Sequence, residues 1–159
     1  MPESIIVGLI SDTHGRLRAE ALDVLRGSDF IVHAGDIGDP AILTELARIA
    51  PVTAIRGNID KAVWAASIPE TKVLDVGGVR IYVIHNVADL DLDPAAAGFQ
   101  CVVHGHSHQP GMKEQDGMLY VNPGSAGPRR FSLPISVGRL VVEDGVVSAE
   151  LVEIKPVNG

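Results

Sequence analysis

Ile5-Ile6-Val7-Gly8-Leu9-Ile10-Ser11-Asp12-Thr13-His14-Gly15 is the stretch on which the fold turns. Its first half is apolar, rich in β-branched residues and far too short to span a membrane. That composition predicts a strand buried on both faces, as in the middle of a parallel sheet. Its second half turns abruptly polar. In an extended segment residues i and i+2 point to the same side, so Asp12 and His14 are expected to converge on one point. A carboxylate and an imidazole facing the same way at the end of a buried strand read as half of a metal site, the alternative being an aspartate that caps the next helix beside a surface histidine.

Downstream of Gly15, Leu17, Ala21, Leu22 and Leu25 recur at helical spacing, and Gly27 stands where such a helix would end. A short strand over 30–34 runs directly into Gly35-Asp36. Asp39-Pro40 reads as an N-cap followed by proline at the first helical position, with Ile42, Leu43, Leu46, Ala47 and Ala50 as the apolar face. A third strand over 51–55 leads to Gly57-Asn58. Strand, helix, strand, helix, strand implies a parallel sheet with right-handed crossovers.

The second half reads differently. Gly77-Gly78 and Glu143-Asp144-Gly145 each sit between two apolar, β-rich runs, the signal of a hairpin. Strands over 101–104 and 118–121 lead to Gly105-His106-Ser107-His108 and Asn122-Pro123-Gly124-Ser125. Helical signal is scarce after residue 70, apart from a turn near 94–97. The expectation is an α/β chain forming one domain over 1–159, with a mixed or two-sheet core and helices outside.

Hydrophobic residues make up 46% of the 159 but aromatic ones only 4%, so the core has to be aliphatic. A formal charge of −7 would repel polyanions, which argues against nucleic-acid partners and anionic membrane surfaces. The single cysteine, Cys101, excludes an intramolecular disulfide and reads as a small buried hydrophobe. The N-terminus lacks the basic segment of a secretory signal and no apolar run approaches membrane-spanning length, so a soluble, cytoplasmic protein is expected. Self-association is left open.

The chemistry recurs at strand ends: Asp12 and His14, then Asp36, Asn58, His85, and finally His106 with His108. Gly35, Gly57 and Gly105 immediately precede three of these positions. Loops at the carboxyl ends of strands in α/β sheets converge on one crevice, and seven polar side chains gathered there would be costly to bury unpaired. Metal ions resolve that cost. With no thiolate in the set, carboxylate, imidazole and amide donors suit Mn, Fe, Ni, Co or Zn better than calcium. Seven donors exceed the needs of one such ion, whereas two ions sharing a carboxylate fit the count, and paired metals are suited to displacement at phosphorus.

Asp12-Thr13-His14, Gly35-Asp36-Ile37-Gly38-Asp39, Gly57-Asn58-Ile59-Asp60, His85 and Gly105-His106-Ser107-His108 resemble the successive signatures of the calcineurin-like metallophosphoesterase superfamily. The short length and the Asn-Pro-Gly-Ser turn are similar to its compact bacterial and archaeal phosphodiesterase branch, the YfcE-type proteins. The resemblance implies a four-layer sandwich of two mixed β-sheets flanked by helices. It also implies that Asp12, His14 and His108 bind one ion, that Asn58, His85 and His106 bind a second, and that Asp36 bridges them. Two positions depart from the family pattern. Ile59 stands where many members have a histidine thought to stabilise the transition state or protonate the leaving group, and Asn86 stands where relatives usually have glycine.

The expected activity is hydrolysis of small phosphodiesters by a metal-activated hydroxide, with two divalent ions per chain and Mn as the first expectation. A phosphomonoesterase on a small metabolite is the enzymatic rival, and a protein-interaction scaffold on the same fold is the non-enzymatic one. Among the remaining polar residues, His33 and His104 read as packed neighbours of the ligands, Asp39 as a helix cap and Asp60 as an anchor of the Asn58 loop. Arg129 and Arg130 could contact phosphate or simply face solvent. Asp89, Asp91 and Asp93 form an acidic loop that would disfavour long polyanions.

Overall fold

The structure is a computed structural model that describes residues 4–130 and 132–155; Met1, Pro2 and Glu3, read above for a targeting signal, lie outside the described residues. In chain order its elements are β1 (Ile5–Ile10), α1 (Ala19–Leu25), β2 (Phe30–His33), α2 (Pro40–Ala47), β3 (Val52–Ala54), β4 (Thr71–Val76), β5 (Val79–Ile84), β6 (Cys101–Val103), β7 (Gly111–Gln115), β8 (Met118–Asn122), β9 (Ile135–Glu143) and β10 (Val146–Ile154). They form two mixed five-stranded sheets, ordered β10-β9-β1-β2-β3 and β4-β5-β6-β8-β7. The expected α/β class and two-sheet core are therefore what is found.

β1 lies at the centre of its sheet, parallel to β2 and antiparallel to β9. Val7 and Leu9 point into the core between the sheets, and Ile10 points the other way, toward the helices. Gly8 shares that outer face, where a Cβ would lie 2.8 Å from Leu25 and 2.7 Å from Ser28 Oγ, so glycine here lets α1 settle directly on the strand. α2 begins as its sequence implies: Asp39 Oδ1 accepts from Ala41 N–H at 2.9 Å, and proline occupies the first turn. Both helices pack their apolar sides (Ala21 and Leu25, Ile42 and Leu46) against Ile31, Val137 and Ile10 of the first sheet.

The inter-sheet layer joins Val7, Leu9, Val32 and Leu140 to Ile81, Val83, Cys101, Val103 and Val121. Each such fully buried aliphatic side chain contributes roughly 1.5–3 kcal/mol relative to exposure. Cys101 is an ordinary member of this layer, and burial pushes its thiol up to about 12. The outer layer on the second sheet is thinner than a helix. There a 3-10 turn at Val87–Asp89 and the segment after it lay Leu90, Leu92 and Phe99 over Tyr82, Ile84, Val102 and Met118. β7 is a strand without a sequence signal: Gly-Met-Lys-Glu-Gln neither alternates nor favours strands, and pairing with β8 alone makes it one. Among the described residues no helix is long and apolar enough to cross a membrane.

Candidate metal centre

β1 and β2 end at Ile10 and His33, yet the loops that leave them stay zipped together. Asp12 N–H donates to Gly35 O at 3.0 Å, His14 N–H to Asp36 O at 2.9 Å, and Gly15 N–H to Ile37 O at 2.8 Å. Asp12 and His14 converge, but not by strand alternation as the sequence suggested. Both have left the strand and sit in the left-handed region, at φ 54° and 46°. Asp36, His106 and His108 share that conformation, at 56°, 73° and 63°. Non-glycine residues rarely adopt it, and where they do the surroundings must hold them there, as functional sites often require.

These bends gather the donors into two groups. In one, ligand atoms of Asp12, His14 and His108 lie within 4.8 Å of one another; in the other, those of Asp36, His85 and His106 do so. The first group is largely buried, whereas His106 leaves the second open to solvent. Asp36 Oδ2 faces both groups, 3.2 Å from His85 Nε2 and 3.5 Å from His14 Nε2. Asn58 places its Oδ1 3.1 Å from His85 Nε2 and 3.2–3.3 Å from the two Asp36 oxygens. All seven sequence-predicted residues are thus brought together.

The electrostatics fit cations. His85 Nδ1 lies 2.7 Å from Ala34 O and must donate to that carbonyl, which leaves the Nε2 lone pair facing the Asn58 and Asp36 oxygens. Facing one another, these acceptors call for a shared donor, which is supplied either by the Asn58 amide turned end for end, its nitrogen then 3.1–3.3 Å from His85 Nε2 and the Asp36 oxygens, or by a positive ion. Asp12 Oδ1 is buried without any hydrogen-bond partner, 3.5 Å from His108 Nε2, while its other oxygen is fixed by Ser11 Oγ at 2.7 Å and His106 N–H at 3.1 Å. Burial raises the Asp12 carboxyl above its ordinary value, against the Ser11 hydrogen bond and the nearby imidazoles. For Asp36 burial works in the same upward direction, but the His85 imidazole and Ile59 N–H together hold the carboxyl below its usual range. His85 is the reciprocal case: burial pulls it down, yet Asp36 and the Ala34 carbonyl raise it. Burial depresses His108 despite Asp12, with Arg130 adding to the depression. In the absence of metal, a proton on His85 would occupy the lone pair that a cation would use.

Several residues make this geometry feasible. A Cβ on Gly57 would run into Asp36 Oδ1, and one on Gly105 into Ser11 Oγ and Asp12 Oδ2, so both glycines admit a carboxylate against bare backbone. Asp60, expected to anchor the Asn58 loop, accepts from the N–H groups of Ile37 at 3.0 Å, Gly38 at 3.0 Å and Gly57 at 2.9 Å, tying the Asp36 and Asn58 loops together. Ser11, Thr13 and Asn122 were not singled out in the sequence. Their signal was position: two hydroxyls flank Asp12, and an amide opens the Asn-Pro-Gly turn, where it donates to Gly105 O at 3.2 Å.

Other expectations resolve plainly. His33 is fully buried and His104 half-buried, and neither joins the donor groups. Asn86, which replaces the usual glycine, is extended at φ −113° and caps the 3-10 turn through Ala88 N–H at 3.1 Å. Ile59 is 43% exposed and carries no titratable group to the site. Arg129 and Arg130 are exposed. A cleft of about 1010 Å³ adjoins Asn58, His85 and His106, with Arg56 and Lys61 contributing positive charge and Asp89 and Asp91 negative charge to its lining.

A family model described as the calcineurin-like phosphoesterase superfamily domain matches residues 5–145. A probable metallophosphoesterase of Methanothermobacter thermautotrophicus is 32% identical over 93% of this chain and 92% of its own. Among solved structures, an archaeal phosphodiesterase superposes with a TM-score of 0.78 at 19% identity, covering 93% of this chain and all of that one. Vacuolar protein sorting 29 of Cryptosporidium parvum superposes at 0.77 with 19% identity, over 96% and 99% of the two chains. At such identities these two likenesses describe the fold.

Proposed function

The chain belongs to the calcineurin-like phosphoesterase superfamily, and from that premise we propose that it is a phosphodiesterase that uses two divalent metal ions to hydrolyse small phosphodiesters. Asp12, His14 and His108 would hold one ion, Asn58, His85 and His106 the other, and Asp36 would serve both. The observation that carries this reading is the position of Asp36 Oδ2, within 3.5 Å of imidazole nitrogens from each donor group. The unpartnered Asp12 Oδ1 adds to it. When bound, such ions lower the pKa of water and offset charge developing at phosphorus.

The chain's own residues account for the rest. Ala34 O fixes the His85 tautomer that presents Nε2, and Asp60 holds the loops bearing Asp36 and Asn58 in register. The adjoining cleft has room for an organic group beyond the scissile phosphate, which suits either ester class, and the archaeal phosphodiesterase of the same fold supports the diester. Nothing at Ile59 can protonate a leaving group. His33 does not replace it, because both of its ring nitrogens are already engaged.

The test is a panel of mono- and diesters assayed with Mn, Ni, Fe, Co and Zn in turn. Metal-dependent diester turnover, abolished by chelation and reduced at least ~100-fold in Asp36→Asn, is the expected result, since even neighbours of ligands typically cost 10–100-fold. Turnover of monoesters alone would assign the rival activity. Metal binding without turnover of either class would favour a scaffold.

A further inference from the structure

His33 is buried beneath the two metal groups without belonging to either, and its hydrogen bonds leave no freedom of tautomer. Gly35 N–H donates to Nδ1 at 3.1 Å, so Nδ1 carries the lone pair and Nε2 the proton. Nε2–H then donates to Thr13 Oγ1 at 3.0 Å, and Thr13 Oγ1–H donates onward to Ile37 O at 2.8 Å. The chain of three bonds uses each donor once and each acceptor once. Its ends are informative. Thr13 stands between Asp12 and His14, while Gly35 and Ile37 flank Asp36, so the chain fastens the backbone of the first metal group to that of the carboxylate facing both.

Resting on the function proposed above, we infer that Thr13 and His33 are positioning residues that set the spacing of the two metal groups and thereby the affinity and mutual geometry of the ions. The zipped backbone bonds at Asp12, His14 and Gly15 fix the height of one loop relative to the other. Thr13 lies between the left-handed Asp12 and His14, and the side-chain group that holds this segment against the Asp36 loop is its hydroxyl. Thr13 and His33 are each fully buried, so water cannot take over a bond that is removed. Burial also pushes the His33 imidazole down to about 3, which keeps the neutral tautomer that the chain of bonds requires.

Thr13→Val conserves the shape of the side chain and removes the hydroxyl, whereas Thr13→Ser conserves the hydroxyl. Mn(II) titration of the full chain followed by electron paramagnetic resonance reads both affinity and the spectrum of a coupled ion pair. Thr13→Val is expected to bind Mn about 10–100-fold more weakly, the range typical of residues that orient metal ligands, with an altered coupled spectrum. Thr13→Ser is expected to restore both. A variant that melts at lower temperature but binds Mn with unchanged affinity and spectrum would reduce the pair to a core hydrogen bond and overturn the inference. Should Thr13→Val fail to fold, His33→Gln, which cannot satisfy Nδ1 and Nε2 partners together, faces the same two readouts. Absence of paired-ion binding by the unaltered protein would instead overturn the underlying functional reading.

Discussion

Lowering the pH of the metal-free protein from 7 to 5 should cost stability through His33. The folded protein holds this imidazole at about 3, because it is sealed from water, against an ordinary value of 6.5. Between those values the unfolded chain takes up a proton that the native state refuses. The contribution is therefore fully present above 6.5, is lost progressively as pH falls, and stops changing below about 3. At pH 5 the unfolded side chain is stabilised by about 2 kcal/mol through this group alone, following 1.36 kcal/mol per unit of separation. For a chain of this length that loss lowers the melting temperature by about 4–8 °C. Other groups titrate over the same interval, so the assay is a comparison. Calorimetric melting of chelator-treated protein at pH 7, 6 and 5 is set beside the same series on His33→Gln, which has nothing to protonate there. The variant melts lower at every pH, but its decline with acidity is shallower by the stated amount. Parallel declines in the two proteins would refute both the buried neutral imidazole and the bond assignment built on it.

Three further outcomes follow from the site. His106→Ala opens only the solvent-exposed group, so elemental analysis after gel filtration should find one tightly held ion per chain, and loss of both would break the division into two groups. Gly105→Ala drives a methyl into Ser11 and Asp12, and overpacking of that kind costs about 1–3 kcal/mol, read as a lowered denaturation midpoint together with weakened metal binding. With Ile59 in place of a proton donor, a series of diesters at saturating metal should slow steeply as leaving-group pKa rises, because a positioned acid is worth about 10²–10⁴ in rate. A flat series would mean that another group protonates the leaving oxygen.

Much of this was legible in the residues. β1 announced burial on both faces, two glycine turns announced hairpins, and the seven donors followed apolar runs closely enough to be collected from the sequence. What could not be read is how they converge. Strand alternation predicts that Asp12 and His14 share a side, but the strand has ended at Ile10 and left-handed backbone does the turning. Asp, Asn and His tolerate that conformation better than most residues without requiring it, so no local signal marks it. β7 was silent because its strand character comes from its partner and not from Met112, Lys113 or Glu114. The triple role of Asp60 depends on three N–H groups from two separate loops, which only the packed structure brings within reach.

The left-handed ligands also give the fold a direction in which to drift. Each of the five holds a backbone conformation that disfavours L-residues by about 1 kcal/mol or more and that glycine adopts without strain. If the proposed hydrolysis is under selection, those side chains would be retained against that strain. Once a descendant is kept for its surface alone, replacement by glycine at the same bends would relieve strain and remove clustered carboxylates and imidazoles in one step. Loss of the metal centre is then thermodynamically downhill, and its re-acquisition is uphill at five positions at once. Lineages on this architecture are therefore expected to pass from enzyme to binding protein far more readily than back, with a gain in thermal stability wherever glycine takes the place of one of these five residues.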